Sequence, residues 1–279
     1  MQDSAIHTNE QSVEKAFSKQ SFVFDEIYAN NSIVHYKRER VRNHLQVYLS
    51  PKSNILELNS GTGEDAIWFA RQGHSVHATD ISNGMLQMLT KKTEAAGLND
   101  KITNEQCSFT NLEKLKNKGP YDLVFSNFAG LNCTNELNKV LQSIPSLLKE
   151  KGIATLVILP RFCLWETLLV FKGKFRTAFR RFSGSSGATA KVEGQLFKCW
   201  YYNPAYVIKN CTLGMELLAI EGLCTIVPPS YIEHFAEKHP SVFKWLTKKE
   251  SQLKSRWPWR NIGDYYIITL RKKQTSNSL

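Results

Sequence analysis

The chain of 279 residues is 42% hydrophobic and 22% charged. That balance excludes collagen, a long coiled coil and a disordered chain, and fits one large globular domain or a domain with an appendage. The formal net charge of +11 invites a nucleic-acid reading, but residues 1–160 carry 17 basic and 17 acidic side chains, residues 161–210 carry 9 and 2, and residues 211–279 carry 10 and 6. The basicity belongs to the second half. Cys107, Cys133, Cys163, Cys199, Cys211 and Cys224 are scattered without C-x-x-C spacing, so neither a disulfide framework nor a zinc site is expected. Met1–Glu14 lacks the apolar core of a secretory signal, and no apolar run reaches the ~18–20 residues of a membrane span. A cytoplasmic protein is expected, touching at most a membrane surface.

In chain order, Ile55–Leu58 is a short buried-strand pattern that ends in Asn59-Ser60-Gly61-Thr62-Gly63 and turns helical, with Ala66, Ile67, Phe69 and Ala70 on one face. Ser75–Thr79 is a second strand ending at Asp80. Ser82 is placed to cap a helix through about Ala96, which Gly97 stops. A strand near Ile102–Cys107, the strand Tyr121–Ser126, a helix near Glu136–Leu148 and the strand Ile153–Leu159 follow. Strands alternating with helices predict an α/β fold, a Rossmann-like, doubly wound, mostly parallel seven-stranded sheet with an inserted cap.

After Pro160 the pattern changes. Phe162–Phe171 is an apolar helical candidate running into Lys172–Phe182, a basic amphipathic segment with Phe175, Phe179 and Phe182 on one face, which is expected to pack as core. Ser183–Gly187 reads as a mobile loop, and a strand follows around Leu196–Tyr202. A helix opens at Asn203-Pro204, then come a strand at Met215–Glu221, a helix from Tyr231 and a final strand Tyr265–Leu270. The predicted organisation is an N-terminal helical lid (1–50), a cofactor-binding core (51–160), a substrate cap (161–203), a C-terminal completion of the sheet with a second cap helix (204–273) and a disordered tail (274–279).

A strand that runs into glycines and then a helix presents backbone N–H groups and a helix N-terminus to a ligand above the sheet. Gly61-x-Gly63-x-x-Ala66 fits the dinucleotide pattern, and Asp80 ends the second strand, where a carboxylate can accept both ribose hydroxyls. A nicotinamide cofactor would need a second mononucleotide half. The sequence beyond residue 160 offers a cap and a late strand pair instead.

These residues resemble the class I S-adenosylmethionine-dependent methyltransferases over approximately residues 50–160. Glu57–Gly63 looks like the acidic-x-Gly-x-Gly-x-Gly first motif, Asp80-Ile81-Ser82-x-x-Met85-Leu86 like the ribose motif, Tyr121–Asn127 like the fourth-strand motif, and Leu147–Gly152 like the turn before the fifth strand. The segment Phe22–Arg40, with Asp25, Tyr28 and Tyr36, is similar to the N-terminal helix that folds over the cofactor in many small-molecule members. The resemblance implies S-adenosyl-L-methionine as cofactor, with S-adenosyl-L-homocysteine as product. It implies that Glu57, Asn59, Ser60, Gly61 and Gly63 hold the methionine part and that Asp80 takes the ribose. Ile81 and Met85 would border the adenine, Ser108 and Phe109 would meet its edge, Asn127 and Phe128 would line the floor under the sulfonium, and Tyr28 would cover it. Two positions depart from the family pattern: Asn59 stands where glycine is usual, and Ser108 where an acidic residue commonly receives the adenine amino group. Asn127-Phe128-Ala129-Gly130 lacks the Pro-Pro-aromatic sequence of the nucleic-acid amino-methyltransferases.

A looser resemblance links Trp165-Glu166, Arg180-Arg181 and Gly263-Asp264 to uncharacterised bacterial members of the family. The charge of the cap points to an anionic or lipophilic acceptor, with Arg180 and Arg181 as clamps and Asn132, Arg161 and Trp165 as further acceptor-side candidates. His234 is the candidate base on chemical grounds, with Glu166 and Tyr201 behind it. An acid inside an apolar helix is either functional or paired, and pairing with an arginine is the better expectation for Glu166. His74-x-x-His77 straddles a strand start, so no metal is expected. The sequence thus predicts an enzyme that methylates a small molecule, with oxygen favoured as the acceptor atom and nitrogen and carbon left open. Its rivals are an RNA methyltransferase using the basic cap and a membrane-surface binding protein of methyltransferase fold.

Overall fold

The computed structural model describes residues 2–211, 214–232 and 234–274, with side chains described from Thr8 onward. Of the expected tail, residues 275–279 lie outside the described residues. Three helices open the chain: α1 (Gln2–Gln20), α2 (Phe24–Ala29) and α3 (Ser32–Gln46). The last begins because the Asn31 side chain accepts from the N–H groups of Ile33 and Val34. The α/β core follows as β1 (Asn54–Leu58), α4 (Glu64–Arg71), β2 (Ser75–Asp80), α5 (Asn83–Ala95), β3 (Ile102–Gln106), β4 (Tyr121–Ser126), α6 (Leu137–Leu147) and β5 (Leu148–Ile158). Ser82 caps α5 through the Met85 N–H, as its position predicts.

The remaining elements are α7 (Leu164–Leu168), α8 (Phe175–Phe179), β6 (Ala188–Val192), β7 (Gln195–Cys199), α9 (Pro204–Cys211), β8 (Met215–Leu223), α10 (Phe235–Lys238), α11 (Pro240–Leu253) and β9 (Tyr265–Lys272). Seven strands form one sheet in the order β3-β2-β1-β4-β5-β9-β8. It is parallel except for β9, which runs antiparallel to both neighbours. Burial on both faces explains the near-continuous apolar runs in its strands. Along β1, Leu56 and Leu58 face α6 and α9, whereas Ile55 joins Phe69 of α4, Leu89 of α5 and Leu45 of α3 on the opposite face. Period-two alternation thus feeds two cores from one strand. No described helix is long and apolar enough to cross a membrane.

The cap departs from the sequence reading. The expected helix over 162–171 is one short helix and a turn, α7 with Leu169–Lys172, and the strand near 196–202 is one half of a hairpin, β6–β7. Phe175, Phe179 and Phe182 point outward, 58%, 55% and 55% exposed. The inward face of that segment is instead Ala178 and Arg181. A helix from Tyr231 is also not formed, since helical structure begins only at Phe235.

Helix α3 is fastened to the far edge of the sheet by His44, which meets Thr269 Oγ1 at 2.7 Å and Glu221 Oε1 at 3.2 Å. Glu250 of α11 accepts from the backbone N–H groups of Cys224, Thr225, Ile226 and Val227. This holds the turn after β8, and with it Ser230, beside α3.

Candidate active site

A cavity of about 360 Å3 opens above the carboxyl ends of β1, β2 and β4, where an open α/β sheet leaves a crevice. The loop after β1 forms its floor. Asn59 takes φ 46° and Gly61 φ 55°, the left-handed region that asparagine enters more readily than other non-glycine residues. Asn59 is fixed by donating to the Asn127 carbonyl (2.9 Å) and accepting from Ser126 Oγ (2.5 Å). A Cβ at Gly130 would lie 2.3 Å from the Asn59 side chain, so Gly130 makes room for asparagine where glycine is usual.

Asp80, at the tip of β2, accepts from Gly61 N–H at 2.9 Å and from Ser82 N–H at 2.8 Å. Burial outweighs these bonds and lifts its pKa to about 6. Glu57 and Asp65 face the same crevice. Burial and the neighbouring Asp65 charge push Glu57 well above the usual carboxylate range. Asp65 is also buried, but Arg38 (3.1 Å), Arg42 (2.9 Å) and Asn127 (2.8 Å) hold it below the ordinary value. Of the two carboxylates, Asp65 is the one whose charge its neighbours favour.

The roof and far wall come from outside the glycine loop. Helix α1 supplies Val13, Phe17 and Gln20, and α2 supplies Phe24 and Tyr28. Asp25 ties α2 to Thr62 Oγ1 (2.5 Å) and Lys92 (2.7 Å). Asn9 ties α1 to the Cys133 carbonyl and to the Lys198 N–H. Lys37, Arg38, Phe128, Ser230 and Tyr265 also line the cavity. The Lys37 ammonium is 3.0 Å from Ser230 Oγ and lies over the Tyr265 ring at 4.7 Å. Burial works against its charge, but Tyr265 and the Asp264 carboxylate prevail and hold its pKa above the ordinary lysine value.

Of the residues expected at a cofactor, Tyr28, Glu57, Asn59, Ser60, Gly61, Asp80, Ile81, Met85, Phe109, Asn127 and Phe128 all line this cavity. Gly63 and Ser108 do not. Gly63 starts α4 at φ 82°, against Leu89, and Ser108 caps the turn at Thr110 while donating to Glu10 at 2.8 Å.

The expected acceptor-side and acid–base residues stand elsewhere. Glu166 is 1% exposed and bound by Arg180 (2.5 Å) and Arg181 (2.6 Å), which together overcome burial and lower its pKa. Both arginines are thus engaged by protein rather than free to clamp an acceptor. Arg181 also meets Asp264 at 2.7 Å and stacks over Tyr201. Asn132 is consumed by the Leu159 and Trp200 backbones. The Trp165 indole donates to the Thr225 carbonyl, and Arg161 is directed at the Tyr201 carbonyl. His234 is exposed, in left-handed backbone just before α10. Lys37, Ser230 and Tyr265 escaped the sequence reading because nothing local marks them; they lie on three segments far apart in the chain.

The sheet order, the glycine loop and the carboxylate at the tip of β2 define an α/β enzyme that binds a nucleoside cofactor. Residues 55–152 match the family model of a methyltransferase domain. The chain is 23% identical over 231 residues to the tRNA 5-carboxymethoxyuridine methyltransferase of Escherichia coli K12, covering 82% of this chain and 83% of that protein. Its fold is similar to that of a Listeria monocytogenes protein described as an S-adenosylmethionine-dependent methyltransferase, with TM-score 0.60, 15% identity and 83% and 96% of the two chains covered. It is also similar to Burkholderia thailandensis 1,6-didemethyltoxoflavin-N1-methyltransferase with bound S-adenosylhomocysteine, with TM-score 0.57, 14% identity and 97% and 91% covered. The match over residues 55–152 and these likenesses support a class I S-adenosylmethionine-dependent methyltransferase.

The cavity suits that cofactor on its own terms. Glu57 Oε2 and Ser60 Oγ are buried without a hydrogen-bond partner, a costly state unless a ligand supplies one. A Cβ at Gly61 would meet nothing within 4 Å, so the backbone there is open to close approach.

Proposed function

We propose that the enzyme transfers the methyl group to a carboxylate oxygen of a small acceptor, whose negative charge is received by Lys37. In this reading Glu57 takes the ammonium of the methionine part, Asp80 the ribose hydroxyls, and Ile81, Met85 and Phe109 the adenine. Bound S-adenosylmethionine supplies a methyl carbon on a positively charged sulfur, a leaving group that needs no further activation. The protein's own task is to position the acceptor in line with that carbon and to keep water out.

The observation that carries the proposal is the charge on Lys37. Three cations, Lys37, Arg180 and Arg181, share two carboxylates, Glu166 and Asp264. The arginines take the short contacts, whereas Lys37 is left 3.7 Å from Asp264. The cation of the cluster with the longest carboxylate contact is therefore the one that lines the cavity. A carboxylate acceptor is already ionised, so an oxygen can attack without a general base, and none of His234, Glu166 and Tyr201 lines the cavity. Attack forms the O–C bond as the S–C bond breaks and its electron pair returns to sulfur, leaving an ester. The name of the 23%-identical relative describes an acceptor with a carboxymethoxy group, which is the same chemistry.

Labelled methyl donor incubated with pooled carboxylic-acid metabolites is expected to give a base-labile product releasing labelled methanol. Label confined to base-stable product would sink the carboxylate assignment. That same relative acts on tRNA, which supports a second reading with the carboxylate carried by an RNA. Label appearing in tRNA, with a steep loss of binding as salt rises, would favour it.

A further inference from the structure

We propose that the outward face of residues 168–182 docks the enzyme on a lipid surface carrying anionic headgroups. Phe171 is 86% exposed, Leu168 42%, and Phe175, Phe179 and Phe182 all exceed half. Exposed large apolar side chains concentrated along one short segment, with the Phe179 and Phe182 rings 6.2 Å apart, mark an interaction site. Its orientation is enforced from beneath: Arg181, 2% exposed, donates to the Pro160 and Asp264 carbonyls and pairs with Glu166 and Asp264. Turning the phenylalanines inward would pull that buried guanidinium into water and strand two carboxylates.

The charge around the face selects the occupant. Lys172, Lys174 and Arg176 are exposed beside it, and no acidic residue occurs between Glu166 and Glu193. Aromatic and aliphatic side chains with lysine and arginine alongside suit the headgroup boundary, where rings enter the acyl region and cations stay at the phosphate level. A second copy of this chain fits poorly, because a self-complementary contact would oppose like charges. Single-stranded RNA is held in basic grooves with stacking rings, whereas a phenylalanine 86% exposed protrudes. This inference is independent of the acceptor chemistry proposed above.

Sedimentation of the full chain with vesicles of phosphatidylcholine, alone or mixed with phosphatidylglycerol, tests it. Binding is expected to the mixed vesicles and to weaken with salt. Two variants, F171S/F175S/F179S/F182S and K172Q/K174Q/R176Q, are each expected to lower partitioning by roughly tenfold or more while S-adenosylmethionine affinity stays unchanged. The charge variant leaves the apolar face intact and so guards against misfolding of the first. Absence of binding to the mixed vesicles, or binding that neither variant weakens, would overturn the proposal. So would loss of RNA binding or of self-association as the variants' sole effect.

Discussion

Arg181 and Asp264 form a buried ion pair at 2.7 Å, and the other oxygen of the same carboxylate faces the Lys37 ammonium at 3.7 Å. One aspartate therefore joins the cap to the wall of the cavity. The basic surplus of the cap is not simply surface charge: Arg180 and Arg181 hold short contacts to Glu166, and Arg181 takes one oxygen of the Asp264 that faces Lys37.

Glu166 carries the structural side of this network. Glu166→Gln removes the charge facing Arg180 and the buried Arg181, and breaking a buried pair from one side costs about 3–5 kcal/mol. Urea denaturation should show that loss. Because the folded-state pKa of Glu166 is lowered, its stabilisation is complete above the unfolded carboxylate value and is lost as pH falls through the folded one. The gap between wild type and variant should accordingly narrow in acid.

Lys37 carries the functional side. Hydrogen bonds to charged groups are worth about 1.5–3 kcal/mol, so Lys37→Met should raise the acceptor KM by roughly 10–100-fold. Affinity for S-adenosylmethionine measured by calorimetry should stay within about twofold, as expected of an interaction confined to the acceptor. Equal loss of both affinities would move Lys37 to the cofactor. His234→Ala, by contrast, should leave turnover unaltered.

Asp80 predicts a pH dependence. Its pKa of about 6 in the folded chain lies above the unfolded value, so the folded state binds the extra proton and loses stability as pH rises between roughly 4 and 6. Asp80→Asn should therefore flatten the stability profile across that interval. It should also weaken S-adenosylmethionine binding by about 10–100-fold at neutral pH. Wild-type affinity should decline below pH about 6 as the carboxylate is protonated.

Gly61 and Gly63 should separate binding from folding. A Cβ at Gly61 has room within the protein, whereas one at Gly63 would lie 2.7 Å from Leu89 Cγ. Gly61→Ala should cost only the ~1–2 kcal/mol of left-handed backbone yet abolish measurable cofactor binding. Gly63→Ala should lower the melting temperature more, because core atoms must move. Thermal melts with and without S-adenosylmethionine distinguish the two.

The cavity floor was legible because its groups sit within a few residues of a strand end. Glu57 inside β1, the glycines after it and Asp80 closing β2 are local features, and chain order encodes them. The cap was not legible in the same way. Spacing places Phe175, Phe179 and Phe182 on one face, but periodicity is the same whether that face turns inward or outward; Arg181, reaching Glu166 and Asp264, decides for outward.

By itself, then, the sequence determined the sheet through short-range patterns of strand, turn and helix, and it pointed to the cofactor and enzyme class through the family resemblance of its motifs. Tertiary structure alone decided which positive charge lines the cavity. Counting residues makes Arg180, Arg181 and Lys37 equivalent, and only ångström-scale distances among α3, the cap and the residue before β9 show which of them hold the short carboxylate contacts.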